Sequence, residues 1–262
     1  MGAFRRVGFH GERRLRAAGV APVIFPRPMN AQTILDEIKP LGLESYKKVI
    51  LNHGAREPIY GVKIEELKKI QKRIKKDYSL ALELYDTGVY DAMYLAGLIA
   101  DDAKMTRKDL QRWAEKATKP LVGCTVPWVA AGSPHAWEIA REWIDAQKDL
   151  IAATGWATLT SYVAITDDAK LDLAELKKLL QRVQKTIHDA PNCARHAMNS
   201  FVIAVGCYVK PLNALAKEIG GKIGPVTVDV GNTSCKVPFA PDYIAKVEKR
   251  GTVGKKRASA KC

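Results

Sequence analysis

The chain has 262 residues and is 47% hydrophobic, enough for a real core in one large domain or two small ones. Cys124, Cys193, Cys207, Cys235 and Cys262 are odd in number and form no CxxC pair, which excludes a zinc ribbon or a disulfide framework and fits reduced thiols in a cytoplasm. The formal net charge of +14 sits at the ends, with +5 in residues 1–28, +6 in residues 246–262 and +3 between; such ends point to a polyanion, most simply nucleic acid, with solubilising tails as the alternative.

Residues 1–28 carry Arg5, Arg6, Arg13, Arg14, Arg16 and Arg27 but no lysine, and Pro22, Pro26 and Pro28 interrupt any helix. Regular patterning starts after Met29, so Met29 is the expected native start and residues 1–28 a disordered extension. An arginine-rich transit peptide is the other reading, and no apolar secretion signal is present. Ala31–Lys39 and Ser45–His53 read as short helices split by Pro40-Leu-Gly, and a loop from His53 to Gly61 follows. Lys63–Lys76 places Ile64, Leu67, Ile70 and Ile74 on one face and seven basic residues against Glu65 and Glu66 on the rest. This is the one concentrated basic surface inside the fold, either a phosphate-contacting face or simply a solvated one.

Paired helices come next, a striped one followed by an apolar one. Tyr78–Tyr85 leads into Tyr90–Ala100, and Arg107–Ala117, with Thr106 as N-cap and Asp109 three residues on, leads into Leu121–Ala131. Ser133-Pro134 opens the striped Pro134–Gln147, which precedes the uncharged Leu150–Ile165. About fifteen uncharged residues are too few to span a bilayer, so that helix belongs in a core. Asp172 with Glu175 is a capping-box pattern for a charged helix reaching His188, followed by apolar Arg195–Val209. The apolar helices centre near residues 96, 126, 157 and 202, and such recurrence is the mark of a stacked, HEAT-like helical solenoid; a generic helical bundle is the alternative. After Pro211–Ile219 the character changes: Gly220-Gly221 ends the helix, Val226–Val230 alternates like a strand, and Gly231-Asn232 turns it. Asp242–Lys249 reads as a last helix before a basic, mobile end.

Gly220–Gly224 lacks P-loop spacing, and no HExxH or GxSxG motif occurs. His188, Cys193 and His196 lack a fourth ligand for structural zinc, so ordinary helix-end residues are the reading. Trp137 and Trp143 fall on a core stripe. Trp128 and Trp156 lie on the apolar helices that would line a solenoid's concave side, where an aromatic either packs in the core or stacks on a base or sugar.

Tyr60-Gly-Val-Lys-Ile-Glu-Glu-Leu-Lys-Lys-Ile70, Leu84-Tyr-Asp-Thr-Gly-Val-Tyr-Asp-Ala-Met-Tyr-Leu-Ala96 and Leu121–Ile165 resemble the DNA alkylation repair glycosylases of HEAT-like fold, a likeness covering about residues 40–210. The stretch from Thr233-Ser-Cys-Lys-Val-Pro onward looks like a branch-specific extension. The resemblance implies excision of N3- or N7-alkylated purines without metal or cofactor. It also implies a basic concave cleft holding duplex DNA, aromatic contacts around the lesion, and a carboxylate stabilising the oxocarbenium ion. At the matching positions this sequence has Thr125 for the carboxylate, Ala153 for a basic residue and Ser200 for an aromatic. Threonine cannot offset the developing cation, so either Asp91 on the preceding apolar helix serves as the acid or the activity is lost.

The expectation is therefore an all-α, HEAT-like α-α superhelical solenoid over residues 29–220, with a basic extension over 221–262 that is irregular and allows a small β-hairpin. The expected function is binding to, or base release from, alkylated or damaged duplex DNA by a cytoplasmic, nucleoid-associated monomer that needs no cofactor, metal or membrane; a protein-binding helical scaffold is the alternative. Asp91 is the candidate acid. Lys68, Lys69, Lys72, Arg73, Trp128, Trp156, Arg195, His196, Lys255, Lys256 and Arg257 are the candidate DNA contacts.

Overall fold

The structure, a computed structural model, describes residues 29–261; the expected extension of residues 1–28 lies outside them. Thirteen α-helices follow one another among the described residues. The first six are α1 (Ala31–Ile38), α2 (Glu44–Asn52), α3 (Ile64–Ile74), α4 (Tyr78–Asp86), α5 (Tyr90–Ile99) and α6 (Arg107–Lys116). Then come α7 (Thr125–Gly132), α8 (Ala136–Trp143), α9 (Asp149–Ile165), α10 (Leu173–Thr186), α11 (Asn192–Tyr208), α12 (Asn213–Ile223) and α13 (Ala240–Lys249).

Local chemistry sets most of these starts. Thr106 and Asp109 form a reciprocal capping box on α6, while Asn30, Asp77 and Asp172 each accept one backbone N–H at the start of α1, α4 and α10. Ser133, expected to open a helix, instead closes α7: its hydroxyl donates to Ala130 O at 2.7 Å, and α8 begins at Ala136.

Amphipathic α4, α6, α8 and α10 alternate with apolar α5, α7, α9 and α11. The apolar set makes a continuous inner layer, α5 on α7, α7 on α9 and α9 on α11, in the HEAT-like all-α arrangement the recurrence implied. Every residue of α9 from Ile151 to Leu159 is buried. Its crossing with α8 requires Gly155, where a Cβ would lie 2.7 Å from Ile144 N and 2.9 Å from Ala140 O. Burying each large aliphatic side chain of this layer contributes about 1.5–3 kcal/mol, so packing, more than helix propensity, holds it together. Trp113, on the otherwise charged α6, turns inward and stacks on Tyr85 with centroids 4.0 Å apart.

The C-terminal part departs most from expectation. α12 continues through Gly220-Gly221 to Ile223 and stops at Gly224, whose φ of +74° suits glycine, so Gly220-Gly221 does not end the helix as expected. No β-hairpin forms: among the described residues the isolated bridge Gly42–Val62 is the β pairing. Val226–Val230 is extended, but its ladder partner is a side chain. Asn192 Nδ2 donates to Asp229 O at 2.9 Å, and Asp229 N donates to Asn192 Oδ1 at 2.8 Å. Residues 225–238 therefore lie as a strap across the amino end of α11. α13 then packs on α11 and α12, and residues 250–261 dock against the inner layer instead of running out as a mobile end.

Candidate nucleic-acid interface

The last carbonyls of a helix have no donor within it. The C-terminal tail supplies donors to three inner helices in turn. Gly254 N donates to Cys207 O of α11 (2.9 Å), Lys256 Nζ and Arg257 N to Val163 O and Ala164 O of α9 (2.9 and 2.8 Å), and Lys261 Nζ to Ala100 O just past α5 (2.7 Å). Cations at these ends also match the helix dipoles. The two lysines meet equivalent carboxylates, Lys256 with Asp168 at 2.8 Å and Lys261 with Asp102 at 2.7 Å. Asp102 and Asp168 belong to a duplicated Asp-Asp-Ala-Lys, residues 101–104 and 167–170, that turns the chain after α5 and after α9. That duplication is the signal in the sequence that could have located the tail. Burial raises the Asp102 carboxyl above its ordinary value while Lys261 opposes the shift; burial likewise lowers the Lys261 ammonium against the pull of Asp102.

The expected trio of tail contacts thus divides. Lys256 is committed to α9 and Asp168, whereas Lys255 and Arg257 are exposed and make no ion pair among the described residues. On α3, Lys69 pairs with Glu66 at 2.7 Å, and Arg73 holds Glu37 with two hydrogen bonds of 2.9 and 2.5 Å. Lys72 is exposed and Lys68 half-buried, both without an ion-pair partner among the described residues. Arg195 is a clamp: its guanidinium donates to Ala190 O and, at 3.1 Å, to Thr227 O, fixing the strap to α11.

Two basic grooves flank the tail. One, of about 620 Å³, has Thr160, Ser161 and Ser200 of the inner helices on one side and Arg250, Lys255 and Arg257 on the other. The second, of about 740 Å³, brings Lys72, Lys75 and Lys76 opposite Ala258–Lys261. Lys76 reaches Asp101 at 3.6 Å, and Lys75, with φ +66°, projects just past the end of α3. Sequence reasoning missed Lys75, Lys76 and Arg250 as groove residues, because only the tail's docking brings the two grooves side by side.

The aromatic and acidic candidates lie elsewhere. Trp128 is edge-on to Tyr94 at 5.7 Å and Trp156 packs on Phe201 at 5.3 Å with the Arg182 guanidinium over its ring; both indoles are core, because each inner helix is covered by its neighbours. No ring face is left for a base. Asp91 is buried at the start of α5, and its carboxylate accepts the backbone N–H groups of Tyr60, Gly61 and Val62, which makes it the anchor of the loop before α3 instead of an acid facing a cleft. Thr125 is fully buried with its methyl against Gly97.

At the amino ends of the inner helices the strap covers a third cavity of about 380 Å³. His196, exposed at its mouth, lines it with Lys119; partial burial first, and Lys119 second, lower its imidazole below the ordinary value. His53, at the end of α2, meets Cys235 of the strap at 3.6 Å. The His188 ring is spent on Ile223 O at 2.9 Å. Among the described residues no group of three or more His, Cys, Asp or Glu could hold a metal ion, and no helix is long and apolar enough to cross a membrane.

Comparison with known proteins agrees with this architecture. The family profile described as "DNA alkylation repair enzyme" matches residues 34–213. Uncharacterized proteins of Listeria innocua and Listeria monocytogenes are 33% and 32% identical over 209 residues, covering 78% of this chain and 90% of each relative. A solved structure superposes with a TM-score of 0.82 at 34% identity, covering 89% of this chain and 100% of the other. It represents "a new family of proteins related to the HEAT-like repeat DNA glycosylases with affinity for branched DNA structures".

Proposed function

Because the chain belongs to the DNA alkylation repair family, we propose that it is a DNA-binding member that grips branched DNA and does not release bases. The observation that carries this reading is the pair of basic grooves on the two sides of one docked tail. Lys72 and Lys75 on one side, and Arg250, Lys255 and Arg257 on the other, make no ion pair among the described residues, so their charge is available for phosphates. Two duplex arms leaving a branch point present two backbones close together, which two adjacent grooves can engage at once and a single cleft cannot. The solved relative's affinity for branched DNA supports the same assignment.

The chemistry around the groove of about 620 Å³ supports the second half of the proposal. Breaking a glycosidic bond builds positive charge on the sugar, and a fixed negative group is needed to stabilise it. No carboxylate is among that groove's lining residues, Thr125 is neutral and buried, and Asp91 is occupied by three backbone donors.

The test is fluorescence anisotropy of the full chain with a four-way junction and with a linear duplex built from the same sequences, across a salt series. Junction binding should be tighter by about tenfold or more, equivalent to about 1.4 kcal/mol. Equal affinity for the two would remove the preference for branches. Release of 7-methylguanine from alkylated duplex above the spontaneous rate would overturn the non-catalytic reading.

A further inference from the structure

Cys235 and His53 stand 182 positions apart in sequence, yet the fold sets Sγ of one 3.6 Å from Nε2 of the other. The strap brings the thiol and the end of α2 brings the imidazole. His53 is itself oriented: Nδ1 lies 2.8 Å from Val49 O, and as the donor there it leaves Nε2 facing the sulfur as an acceptor. Cys235 N donates to Thr233 Oγ1 at 3.3 Å, which fixes the strap's turn beneath the thiol. A nucleophile, a base within reach and a third group orienting the base make up the arrangement that activates cysteine. Both residues open onto the 380 Å³ cavity under the strap, whose walls include Val122, Ala153, Ala197 and Val228.

We propose that Cys235 is a reactive nucleophile served by His53, and that the cavity beside it admits small neutral alkylating electrophiles. In the step, the thiol proton passes to His53 Nε2 and the sulfur lone pair attacks the electrophilic carbon. The S–C bond forms as the bond from carbon to the leaving group breaks, and the leaving group departs with the electron pair. Lys119 on the cavity wall favours a group that departs as an anion. The protein is left as a thioether at Cys235 with an imidazolium at His53.

The remaining described cysteines differ in kind. Burial, reinforced by Asp149, pushes the Cys193 thiol up to about 11, and burial with Glu248 pushes Cys207 up to about 11. Cys124 donates its thiol to Pro120 O at 3.2 Å. Cys235 is instead lowered from the ordinary thiol value by its contacts with Thr233 first and His53 second, and the Val49 carbonyl and Cys235 raise His53.

The experiment is limited alkylation of the full chain with iodoacetamide at pH 7, each cysteine followed by peptide mapping, in the parent and in His53→Gln. Cys235 should react at least about tenfold faster than Cys193 or Cys207, since the thiolate is the reacting species. His53→Gln should slow Cys235 by about tenfold at pH 7 and leave its rate unchanged near pH 10, where an exposed thiol ionises unaided. The pH–rate profile of parent Cys235 should bend below the value of an ordinary thiol, about 8.5. A rate at pH 7 that ignores the His53 change, a faster reaction at another described cysteine, or an ordinary thiol profile would each overturn the proposal.

Discussion

The carboxylate of Asp91 accepts N–H bonds from Tyr60 and Val62, both at 2.7 Å, and from Gly61 at 3.4 Å, with the residue 1% exposed. Those three donors lie about thirty positions upstream, in the loop that turns the chain into α3. Removing the acceptor would leave buried N–H groups unsatisfied, each costing about 1–3 kcal/mol in full, although water entering the small void offsets part of it. Asp91→Ala should therefore lower unfolding stability in urea by about 2–4 kcal/mol and leave the junction affinity of the folded protein unchanged. A variant as stable as the parent but unable to bind DNA would reverse that assignment. The same lesson applies to the two inner-helix tryptophans. Their position on apolar helices was plain in the sequence, but whether an indole on such a helix faces a cleft or a neighbour depends on the next helix in the stack. For Trp128 the neighbour is Tyr94 and for Trp156 it is Phe201, partners 34 and 45 positions away, which periodicity within one helix cannot reveal.

At the scale of elements, what is local was legible. Stripe and cap settle α6 and α10, since Thr106 with Asp109 and Asp172 with Glu175 act within a single turn. The strap and tail were not legible in that way. Val226–Val230 has the alternation of a strand, but whether alternation becomes a ladder depends on a partner edge, and here the Asn192 side chain takes that place. The tail has composition but no period, so its basic residues looked equivalent. In the fold, Lys256 closes the carboxyl end of α9 and pairs with Asp168, while Lys255 and Arg257 stay exposed. These two tasks separate experimentally. Lys256→Ala should cost about 1–3 kcal/mol of stability, the loss of a largely buried charge-assisted contact, with no change in the salt slope of DNA binding. Lys255→Ala combined with Arg257→Ala should leave stability within about 0.5 kcal/mol and reduce the slope of log affinity against log salt by about 1–2. An identical slope in the double variant would remove the tail from the interface.

For the whole molecule, the inner layer has two chemically distinct ends. The amino ends of its helices meet the strap, whose Cys235 faces His53 and whose cavity His196 lines; the carboxyl ends meet the tail, with its lysines and arginines. The polarity follows from one fact of the fold: successive inner helices run in the same direction, so their dipoles add and the carboxyl side accumulates partial negative charge that draws a basic segment onto it. Docking that segment then creates the two grooves, because it forms a wall between α13 and α3. Tail residues line both grooves. On the proposed reading, a linear duplex lays a backbone along one groove, whereas a branched molecule lays one along each. Charge reversal on one side alone should therefore separate the two ligands. Lys72→Glu with Lys75→Glu, exposed positions on and just past α3, should weaken junction binding by about tenfold more than linear duplex binding, the second arm's contribution of about 1.4 kcal/mol being the part lost. Anisotropy titrations of both ligands at one salt concentration measure the difference. Equal losses would mean that both ligands use the same groove, and the two-arm geometry would have to be abandoned.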